Sequence, residues 1–486
     1  MPQYSLHELV AALNSDSAVS AVTGPGAPAS PALEPMSLLT HIVSTRRYPA
    51  TPTPPHVVSL LLSLLLSLDS HREVGHVGVG EREGRVYSSL LRERGAAERG
   101  GAHGVGRSGD VAAVQPKAKG SSTLLRLAAI MTKAALIDAG LSKEAVAEVA
   151  VMPGATGATL ALVLGETGRS GTVLWSRVDQ KTARKCIHTA GPHLTPLTIE
   201  LTDDYRTDVP AFEAALSAAA DGSGPPVAAI LATTSCFAPR QPDDIPALAA
   251  LARRFDVPLI VNNAYGVQSP AARRAINRAV ATGGRVDMVV QSCDKNFLTP
   301  VGGAVAFSPD AAAIPRLQQF YAGRASAVPV TDMVVTLLEM GKSGWQQVLA
   351  DREALVPHML AVLERLAADH GERILGHNDV SFAMTLDRVG SDAEALAIGG
   401  ALFSHGVTGM RVVTPSTATK TIGPVTFRGW GSHRDPTPTS VRYATVAVAV
   451  GMTRSEIDTF AQKFDKVLKK FARKRAKAEK RGQSDK

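Results

Sequence analysis

The stretch from Val286 to Gly303, VDMVVQSCDKNFLTPVGG, contains a lysine at a position where a sheet would present it to a ligand. The stretch begins as an apolar run without alternation, which is typical of a buried parallel strand, and it turns polar from Ser292 onward. In open α/β sheets, ligands bind at the carboxyl ends of the strands. Burial there would disfavour the ammonium form of Lys295, and a neutral amine attacks carbonyl carbons. These features make Lys295 a candidate Schiff-base lysine for pyridoxal phosphate, and the alternative is a surface lysine at a strand end.

A glycine-rich loop, GVGRSGDVAAVQPKAKGSS, lies upstream and carries anion-binding side chains. Its start satisfies the dinucleotide-binding pattern GxGxxG, but that fingerprint requires a strand before it and a helix after it. A charged, glycine-rich segment precedes this loop and Gln115-Pro116 interrupts it, so we reject the dinucleotide interpretation. The backbone N–H groups of such a loop, together with Arg107, Ser108 and Gln115, would form a cradle for a phosphate group. An ordinary polar surface loop is the alternative.

A second phosphate site is predicted where VAVMPGATGATLALVL passes from a strand into a helix. Ala155, Thr156 and Gly157 would lie at the helix N-terminus, where free N–H groups and the helix dipole attract a phosphate. The alternative is an ordinary helix capped by threonine.

Asn262 ends another predicted strand, in the motif VNNAYGVQ. Many pyridoxal enzymes of the aspartate-aminotransferase fold place an aspartate at this position, against the pyridine nitrogen. An amide cannot keep the ring protonated as a carboxylate does. We therefore expect a weaker electron sink, which suits β-elimination more than transamination.

Strands and helices alternate along the middle of the chain, which predicts a mostly parallel sheet with helices on both faces. The predicted strands are 171–176, 195–200, 227–233 and 258–262, and the predicted helices are 179–190, 209–220, 243–255 and 270–281. Helices at 331–340 and 344–369 would bridge to a smaller α+β domain with strands near 380–386, 408–414, 424–429 and 440–445. We predict four segments along the chain: an N-terminal extension for oligomerisation (1–70), a large cofactor-binding domain (71–335), a small C-terminal domain (336–470) and a basic tail (471–486).

Composition narrows the class of protein. The chain has 486 residues, of which 45% are hydrophobic and 20% charged, as in an α/β enzyme with more than one domain. Its three cysteines form no CxxC pair, so we predict neither a disulfide framework nor a metal site, and a reducing compartment fits. The longest apolar run, Val57 to Leu68, has 12 residues, which is too short to span a bilayer. The N-terminus lacks a secretory pattern, and we expect a cytoplasmic protein.

The positive charge is concentrated at the C-terminus. Residues 461–486 contain 11 Lys or Arg and 3 acidic residues, while the whole chain carries a net charge of +8. Such a tail suits a polyanion such as nucleic acid, and the alternative is a solvated terminal helix that aids solubility.

Several sequence blocks resemble those of one family, the O-phosphoseryl-tRNA(Sec) selenium transferases, also called O-phosphoseryl-tRNA(Sec):selenocysteinyl-tRNA synthases. The blocks are GVGEREGRV, GVGRSGDVAAVQPKAKGSS, RVDQK, TTSCFAPR, VNNAYGVQS, QSCDKNF, PVGGAVA, YAGRAS and FRGW. The resemblance covers roughly residues 70–470, whereas residues 1–70 and the stretch Arg94–Ala102 depart from the family pattern. It implies the pyridoxal-phosphate-dependent transferase fold of type I, in which a large domain with a mostly parallel sheet carries a smaller α+β domain.

The resemblance also implies a reaction. The chain would convert O-phosphoseryl-tRNA(Sec) to selenocysteinyl-tRNA(Sec), with selenophosphate as the selenium donor. Lys295 would carry pyridoxal phosphate and then take the α-proton, phosphate would leave the β-carbon, and selenophosphate would add to the resulting alkene. Family membership further implies a cytoplasmic homotetramer that binds tRNA and contains a dimer of dimers.

Residue roles follow from motif position in the same family. The clamp for the substrate phosphate corresponds to Arg107, Ser108, Gln115 and Arg324. The cofactor site corresponds to Lys295, Arg82, Ala155, Thr156, Gly157, Gln180 and Asn262. Arg82 is expected to reach the cofactor phosphate across a dimer, and Glu81 resembles a filter that repels a free α-carboxylate by like charge. Arg411 and Lys469 resemble tRNA contacts outside the pocket.

Two other functions are compatible with these residues. One is a pyridoxal-dependent lyase or desulfurase acting on a free amino acid, although the sequence lacks an exposed catalytic cysteine loop and Cys293 is expected to serve packing. The other is a tRNA-binding relative that has lost catalysis, against which the lysine and the arginine set argue.

Overall fold

The computed structural model describes residues 5–14, 35–93, 101–415, 419–423 and 425–484. Most of the stretch 94–102, which departs from the family pattern, therefore lies outside the described residues. Five helices precede the first strand in the described chain: α1 (Leu6–Asn14), α2 (Pro35–Thr45), α3 (Pro55–Leu66), α4 (Ser89–Glu93) and α5 (Lys119–Asp138).

A seven-stranded sheet forms the centre of the large domain. Its strands are β1 (Glu148–Met152), β2 (Gly171–Ser176), β3 (Leu194–Ile199), β4 (Val227–Thr233), β5 (Leu259–Asn262), β6 (Met288–Ser292) and β7 (Ala304–Ser308). They lie in the order β1-β7-β6-β5-β4-β2-β3, and β7 alone runs antiparallel to its neighbours. The predicted mostly parallel sheet is confirmed. The bounds of β2 to β5 lie within a residue of those read from the sequence, whereas β6 begins at Met288, two residues after the predicted start at Val286.

Helices follow the strands as the alternation predicts. They are α6 (Thr156–Glu166), α7 (Lys181–Ala190), α8 (Val209–Ala220), α9 (Ile245–Arg254), α10 (Pro270–Ala281), α11 (Cys293–Phe297) and α12 (Ala313–Phe320). Asp208, Asp244 and Ser269 cap three of these helices through side-chain acceptors, and a proline occupies the first turn each time. Local sequence signals thus set where these helices begin.

The long helix α13 (Val328–His370) connects the two domains. As predicted, two helical segments follow one another here, and they are separated by Gly341, whose φ of +58° and ψ of 176° are not helical. A Cβ at Gly341 would lie 2.4 Å from the carbonyl carbon of Thr51, so the N-terminal segment passes against the break. Glycine is required there by both the left-handed backbone and the close approach.

The small domain has its own sheet and core. The strands β8 (Ile374–His377), β9 (Ser381–Thr385), β10 (Arg411–Val413) and β13 (Tyr443–Ala447) form an antiparallel sheet in the order β10-β13-β9-β8. Helices α14 (Asp392–Ser404) and α15 (Arg454–Ser484) cover it. The strand expected near 424–429 is instead β12 (Val425–Arg428) of a separate hairpin with β11 (Thr419–Ile422), and this hairpin packs on the large-domain core through Ile422 and Phe427.

The N-terminal helices share the core of the large domain. Leu38, Leu39 and Ile42 of α2 are fully buried, as are Leu61 and Leu65 of α3. They belong to the same apolar cluster as the central sheet. The predicted role of residues 1–70 in oligomerisation stays a prediction. Within the described residues, no helix combines the length and the apolar character needed to cross a membrane.

Candidate active site

A cavity of about 580 Å³ opens at the carboxyl edge of the central sheet. Lys295, Gln180 and Tyr265 line it from the large domain, and Arg411 and Trp430 line it from the C-terminal part of the chain. Three neighbouring strands end beside this cavity, because Thr233 of β4 pairs with Asn262 of β5, which pairs with Val290 of β6. The edge predicted from the sequence is therefore where the candidate site lies.

Lys295 sits in the short helix α11, directly after β6, and its backbone is held on both sides. Gln268 Nε2 donates to the Lys295 carbonyl oxygen at 3.1 Å. Asn296 Nδ2 donates to the carbonyl oxygen of Ala264 at 2.9 Å, while its Oδ1 accepts from the amide of Val267 at 3.1 Å. These bonds fix the base of the lysine side chain against the loop that follows β5.

The Lys295 side chain is exposed in the single chain, which corrects the expectation that it lies in poor solvent. The cavity is therefore open to water at the lysine in the single chain. The lysine Nζ lies 5.8 Å from the ring centroid of Tyr265. Burial raises the pKa of Tyr265 well above its ordinary value, so the ring beside the lysine stays a neutral phenol.

Asn262 is buried, and its Oδ1 has no hydrogen-bond partner among the described residues. The next residue, Asn263, is satisfied, because Thr234 Oγ1 donates to its Oδ1 at 2.5 Å and its Nδ2 donates to Gln291 at 3.1 Å. Buried polar atoms are normally paired, so an orphaned amide at a strand end beside the cavity suits a ligand with a polar ring atom. Because Oδ1 is an acceptor, Asn262 fits the pyridine nitrogen of pyridoxal phosphate when that nitrogen carries a proton.

The start of α6 fits the phosphate of the same cofactor. Ala155 occupies the N-cap without a side-chain capping bond, which leaves the first N–H groups of the helix available. The Thr156 hydroxyl is buried and has no partner in the described part of the chain. A Cβ on Gly157 would lie 2.2 Å from Cγ2 of Thr182, and Thr182 lines the Lys295 cavity. The predicted phosphate-binding turn therefore adjoins the cavity.

A buried carboxylate links the cavity to the C-terminal part of the chain. Asp179 lines the cavity and accepts from the amides of Gly431 and His433, each at 2.8 Å, and from Arg177 Nε at 3.0 Å. The Asp179 amide donates to His433 Nδ1 at 2.9 Å, and burial lowers the pKa of His433 well below its ordinary value. The neutral imidazole can therefore accept this hydrogen bond. Together with the two bonds to the Asp179 carboxylate, it holds the loop that carries Trp430 against the wall of the cavity. The motifs RVDQK, which contains Asp179, and FRGW, which contains Trp430, are visible in the sequence, but the sequence does not show that these two segments lie in contact.

The glycine loop lies against the loop that contains Arg324. The amide of Val105 donates to the carbonyl oxygen of Ala325 at 2.9 Å, and the reverse bond measures 3.1 Å. Arg324 donates to the His103 carbonyl oxygen, and its Nε is buried without a partner in the described structure. Burial, and then the charge of Arg82, lower the pKa of Arg324. We call Arg82, Arg107 and Arg324 the arginine cluster, whose surplus of positive charge suits an anion.

The clamp residues predicted from the sequence fall within or beside the arginine cluster. Arg107 and Ser108 are exposed at the tip of the glycine loop, and Gln115 is half-buried. Within the described chain, none of these residues, and neither Arg82 nor Arg324, lines the Lys295 cavity of the same chain. The structure therefore forms two groups of predicted site residues, which one chain does not bring together.

Glu81 and Arg82 lie on a segment that has an unusual surface. Both residues are exposed, and Lys117 Nζ supports the segment by donating to the Arg82 carbonyl oxygen and to Glu83, each at 2.9 Å. Several large apolar side chains on this segment are exposed as well: Val74, Val77, Val79, Tyr87, Leu90 and Leu91. A contiguous set of exposed apolar residues marks an interaction surface.

The two predicted tRNA contacts differ in position. Lys469 lies on the exposed face of α15 and pairs with Asp465 at 2.7 Å. Arg411 was expected outside the pocket, but it lines the cavity, with its guanidinium carbon 4.1 Å from the ring centroid of Phe237. The reason is the register of β10, which carries Arg411 at its first residue, at the mouth of the cavity.

The three cysteines lie in the interior of the protein. Cys186, Cys236 and Cys293 are all buried and free, and packing accounts for Cys293 as expected. In the described ranges, no group of three or more His, Cys, Asp or Glu residues is arranged to hold a metal ion.

Comparisons with known proteins agree on one family. The family model described as O-phosphoseryl-tRNA(Sec) selenium transferase matches residues 68–469. The curated protein of that name from Dictyostelium discoideum is 38% identical over 440 residues, covering 85% of this chain and 90% of the relative. The one from Caenorhabditis elegans is 37% identical over 455 residues, covering 91% and 92%.

Solved structures give the same result. The crystal structure of an archaeal O-phosphoseryl-tRNA(Sec) selenium transferase superposes with a TM-score of 0.79 at 26% identity, covering 89% of this chain and 94% of that chain. The Rhodiola rosea 4-hydroxyphenylacetaldehyde synthase, at 12% identity and a TM-score of 0.57, shares the fold alone.

Proposed function

The chain belongs to the O-phosphoseryl-tRNA(Sec) selenium transferase family, and from that membership we propose that it converts O-phosphoseryl-tRNA(Sec) to selenocysteinyl-tRNA(Sec) with pyridoxal phosphate as cofactor. The observation that carries this proposal is Lys295 at the carboxyl edge of the sheet, in a cavity of about 580 Å³. Selenophosphate would supply the selenium, and the cytoplasm, where aminoacylated tRNA is used, would be the place of reaction.

Four elements of the chain would hold the cofactor. Lys295 Nζ is the attachment atom, the orphaned amide of Asn262 would meet the ring nitrogen, and Gln180 lines the space for the ring. The helix N-terminus from Ala155 to Gly157 would bind the phosphate. When bound, pyridoxal phosphate supplies an electron sink that stabilises negative charge at the α-carbon of an attached amino acid.

Lys295 has a second role in the proposed reaction. Once its Nζ is free, it removes the proton from the α-carbon of the phosphoseryl group, because it is the cavity-lining amine at the point where the cofactor would be attached. The phosphate then leaves the β-carbon, and the selenium of selenophosphate forms a bond to the same carbon while the α-carbon regains a proton. Water then cleaves the P–Se bond, and the phosphate of selenophosphate leaves as inorganic phosphate. Arg107 and Arg324 would hold the departing phosphate, since paired guanidinium groups bind phosphate oxygens with good geometry, and Arg82 would reach the cofactor phosphate across a dimer.

The site requires a second subunit. We infer this because the arginine cluster does not line the Lys295 cavity of its own chain, while the apolar segment beside Arg82 is exposed. A partner subunit would bring its own arginine cluster to Lys295, exclude water and bury the exposed segment. Glu81, next to Arg82, would then repel the carboxylate of a free amino acid but admit an ester. A dimer of such dimers would form the proposed tetramer.

The tRNA would meet basic groups at the rim of the cavity. Arg411 stands at the mouth of the cavity, and Lys469 lies on the basic helix α15. The basic tail continues that helix and would add contacts to the phosphate backbone.

One assay tests this function. Protein loaded with pyridoxal phosphate is given selenophosphate and either phosphoseryl-tRNA or free phosphoserine, and selenocysteine formation and phosphate release are measured. We expect turnover of the tRNA ester alone, and none with Lys295→Ala. Turnover of the free amino acid would support the lyase alternative, and no turnover of either substrate by correctly loaded protein would support the inactive relative.

A further inference from the structure

A second cavity, of about 480 Å³, adjoins the Lys295 cavity and has no role in the reaction described above. The two cavities share Ala447 and Ala449 in their walls. The loop 406–410 lines the second cavity, and the next residue, Arg411, lines the first. Only one loop and the end of β13 therefore separate them.

The second cavity has apolar walls and a polar rim. Met359, Met410, Met452 and Phe460 supply flat or adaptable apolar surface. Thr408, on the loop, is exposed at the rim. Thioether and aromatic side chains of this kind pack on the faces of planar rings, and base stacking on such surfaces tolerates any base.

A cation stands at the edge of this cavity. Lys463 of α15 lines it, is half-buried, and forms no ion pair with any acidic residue in the described chain. Its Nζ lies 3.7 Å from the position that a Cβ on Gly406 would occupy, so it reaches across to the loop. Glu456 also lines the cavity, but its carboxylate accepts from the amide and the hydroxyl of Thr453, so Lys463 is left to meet an anion such as a phosphate group.

The chemistry of the substrate points to an occupant. In the proposed function, which this inference extends, phosphoserine is esterified to the ribose of the last tRNA nucleotide. When the amino acid lies at Lys295, the terminal base is therefore only one ribose away. We propose that the second cavity holds this 3′-terminal base, with Lys463 against the phosphate of the terminal nucleotide.

Small ligands test the proposal without altering the fold. The probes are 2-amino-4-phosphonobutanoate, the phosphonate analogue of phosphoserine that cannot lose phosphate, joined by a stable amide to 3′-amino-3′-deoxyadenosine 5′-monophosphate, and the same compound without its base. Binding to the holoenzyme is measured by calorimetry. We expect loss of the base to weaken binding about tenfold, the usual size of a stacking contribution. Equal affinity for the two probes would overturn the proposal.

Two variants test whether the terminal base binds in this second cavity. Thr408→Trp would fill the cavity from an exposed position and should remove the tenfold advantage of the base. Lys463→Gln should weaken both probes alike, because both carry the phosphate. The control is Leu396→Trp, on the exposed face of α14, which should retain the preference. A preference that persists in Thr408→Trp would locate the base elsewhere and refute the assignment.

The same proteins distinguish this proposal from the proposed function. If wild-type protein converts phosphoseryl-tRNA but shows no preference for the base, only the cavity assignment fails. If it converts no tRNA ester, the function itself fails.

Discussion

At the scale of residues, the lysine at the centre of the proposed chemistry is exposed beside a neutral phenol. The Nζ of Lys295 lies 5.8 Å from the centroid of the Tyr265 ring, and Lys295 is exposed to water in the single chain. Among the buried atoms without a partner in the described structure are Asn262 Oδ1, the Thr156 hydroxyl and Arg324 Nε, which belong to groups that would meet the cofactor or the substrate phosphate. The chain therefore provides binding groups in advance, whereas the dry environment has to come from bound ligand and partner subunit.

We expect Arg324→Ala to reduce turnover of phosphoseryl-tRNA by about 100-fold, the usual cost of removing one group that stabilises developing charge. The cofactor absorption band should be retained, because Arg324 does not line the Lys295 cavity. Arg316→Ala, which removes an exposed arginine paired with Glu166, is the matched control and should be fully active. Normal turnover in Arg324→Ala would remove the clamp assignment.

His103 makes stability depend on pH. Burial, together with nearby His71, Arg324 and Lys117, lowers the pKa of His103 to about 4. Between pH 6.5 and about 4 the unfolded chain binds more protons at this site than the folded chain, so this contribution to stability is complete above pH 6.5 and is lost as the pH falls. The loss should be on the order of 2 kcal/mol after allowance for solvent screening.

The measurement is the difference in unfolding free energy between wild type and His103→Gln at pH 7.5 and pH 5, compared with the same substitution at the exposed His405. The wild-type advantage should shrink at the lower pH. An advantage that is independent of pH would contradict a neutral buried imidazole.

At the scale of elements, the site depends on two contacts, one at the N-terminus of α6 and one between Asp179 and the loop at 431–433. The N-terminus of α6 reaches the cavity only because Gly157 has no side chain to collide with Thr182. On the opposite wall, Asp179 accepts two backbone amides from the loop at 431–433 and thereby holds Trp430 in the cavity lining. Both contacts join elements that are distant in the chain.

Gly157→Ala should weaken pyridoxal phosphate binding by about tenfold, because its Cβ would lie 2.2 Å from Thr182 Cγ2 and push the helix start away from the cavity. The double variant Gly157→Ala/Thr182→Ser, which removes that methyl group, should recover part of the affinity. A fluorescence titration of apoprotein measures both constants. Additive effects of the two substitutions would show that the contact does not control the phosphate turn.

At the scale of the whole molecule, one chain holds two halves of a site. The Lys295 cavity and the arginine cluster are separate within the chain, and the segment from Val74 to Leu91 exposes apolar side chains beside Arg82. Assembly would bury that segment and combine the two halves, so the proposed activity belongs to the oligomer.

Mixing two inactive variants tests this arrangement. Lys295→Ala and Arg82→Ala should each be inactive alone, yet subunit exchange between them should restore about a quarter of wild-type activity, since half of the random dimers are mixed and each contains one intact site. Subunit exchange is verified by native mass spectrometry of differently tagged chains. No recovery after verified exchange would place both residues in the same chain's site.

The sequence by itself determined the local features of this protein. Apolar runs, capping residues and the alternation of strands with helices predicted the sheet, and the polar end of β6 predicted where Lys295 stands, because these signals depend on neighbours along the chain. The glycine loop and the turn at Ala155 to Gly157 were likewise visible as anion-binding patterns. The family blocks supported the same residues, and the family match confirms the predicted family.

Only the tertiary structure decided which of these residues meet. It paired Asp179 with His433, placed Arg411 in the cavity, left Lys295 exposed, and kept the arginine cluster apart from it. The Asp179–His433 bond joins residues that are 254 positions apart. Such contacts are set by how helices and sheets pack rather than by any local preference. That packing also created the second cavity beside Ala447 and Ala449, which no sequence pattern had indicated.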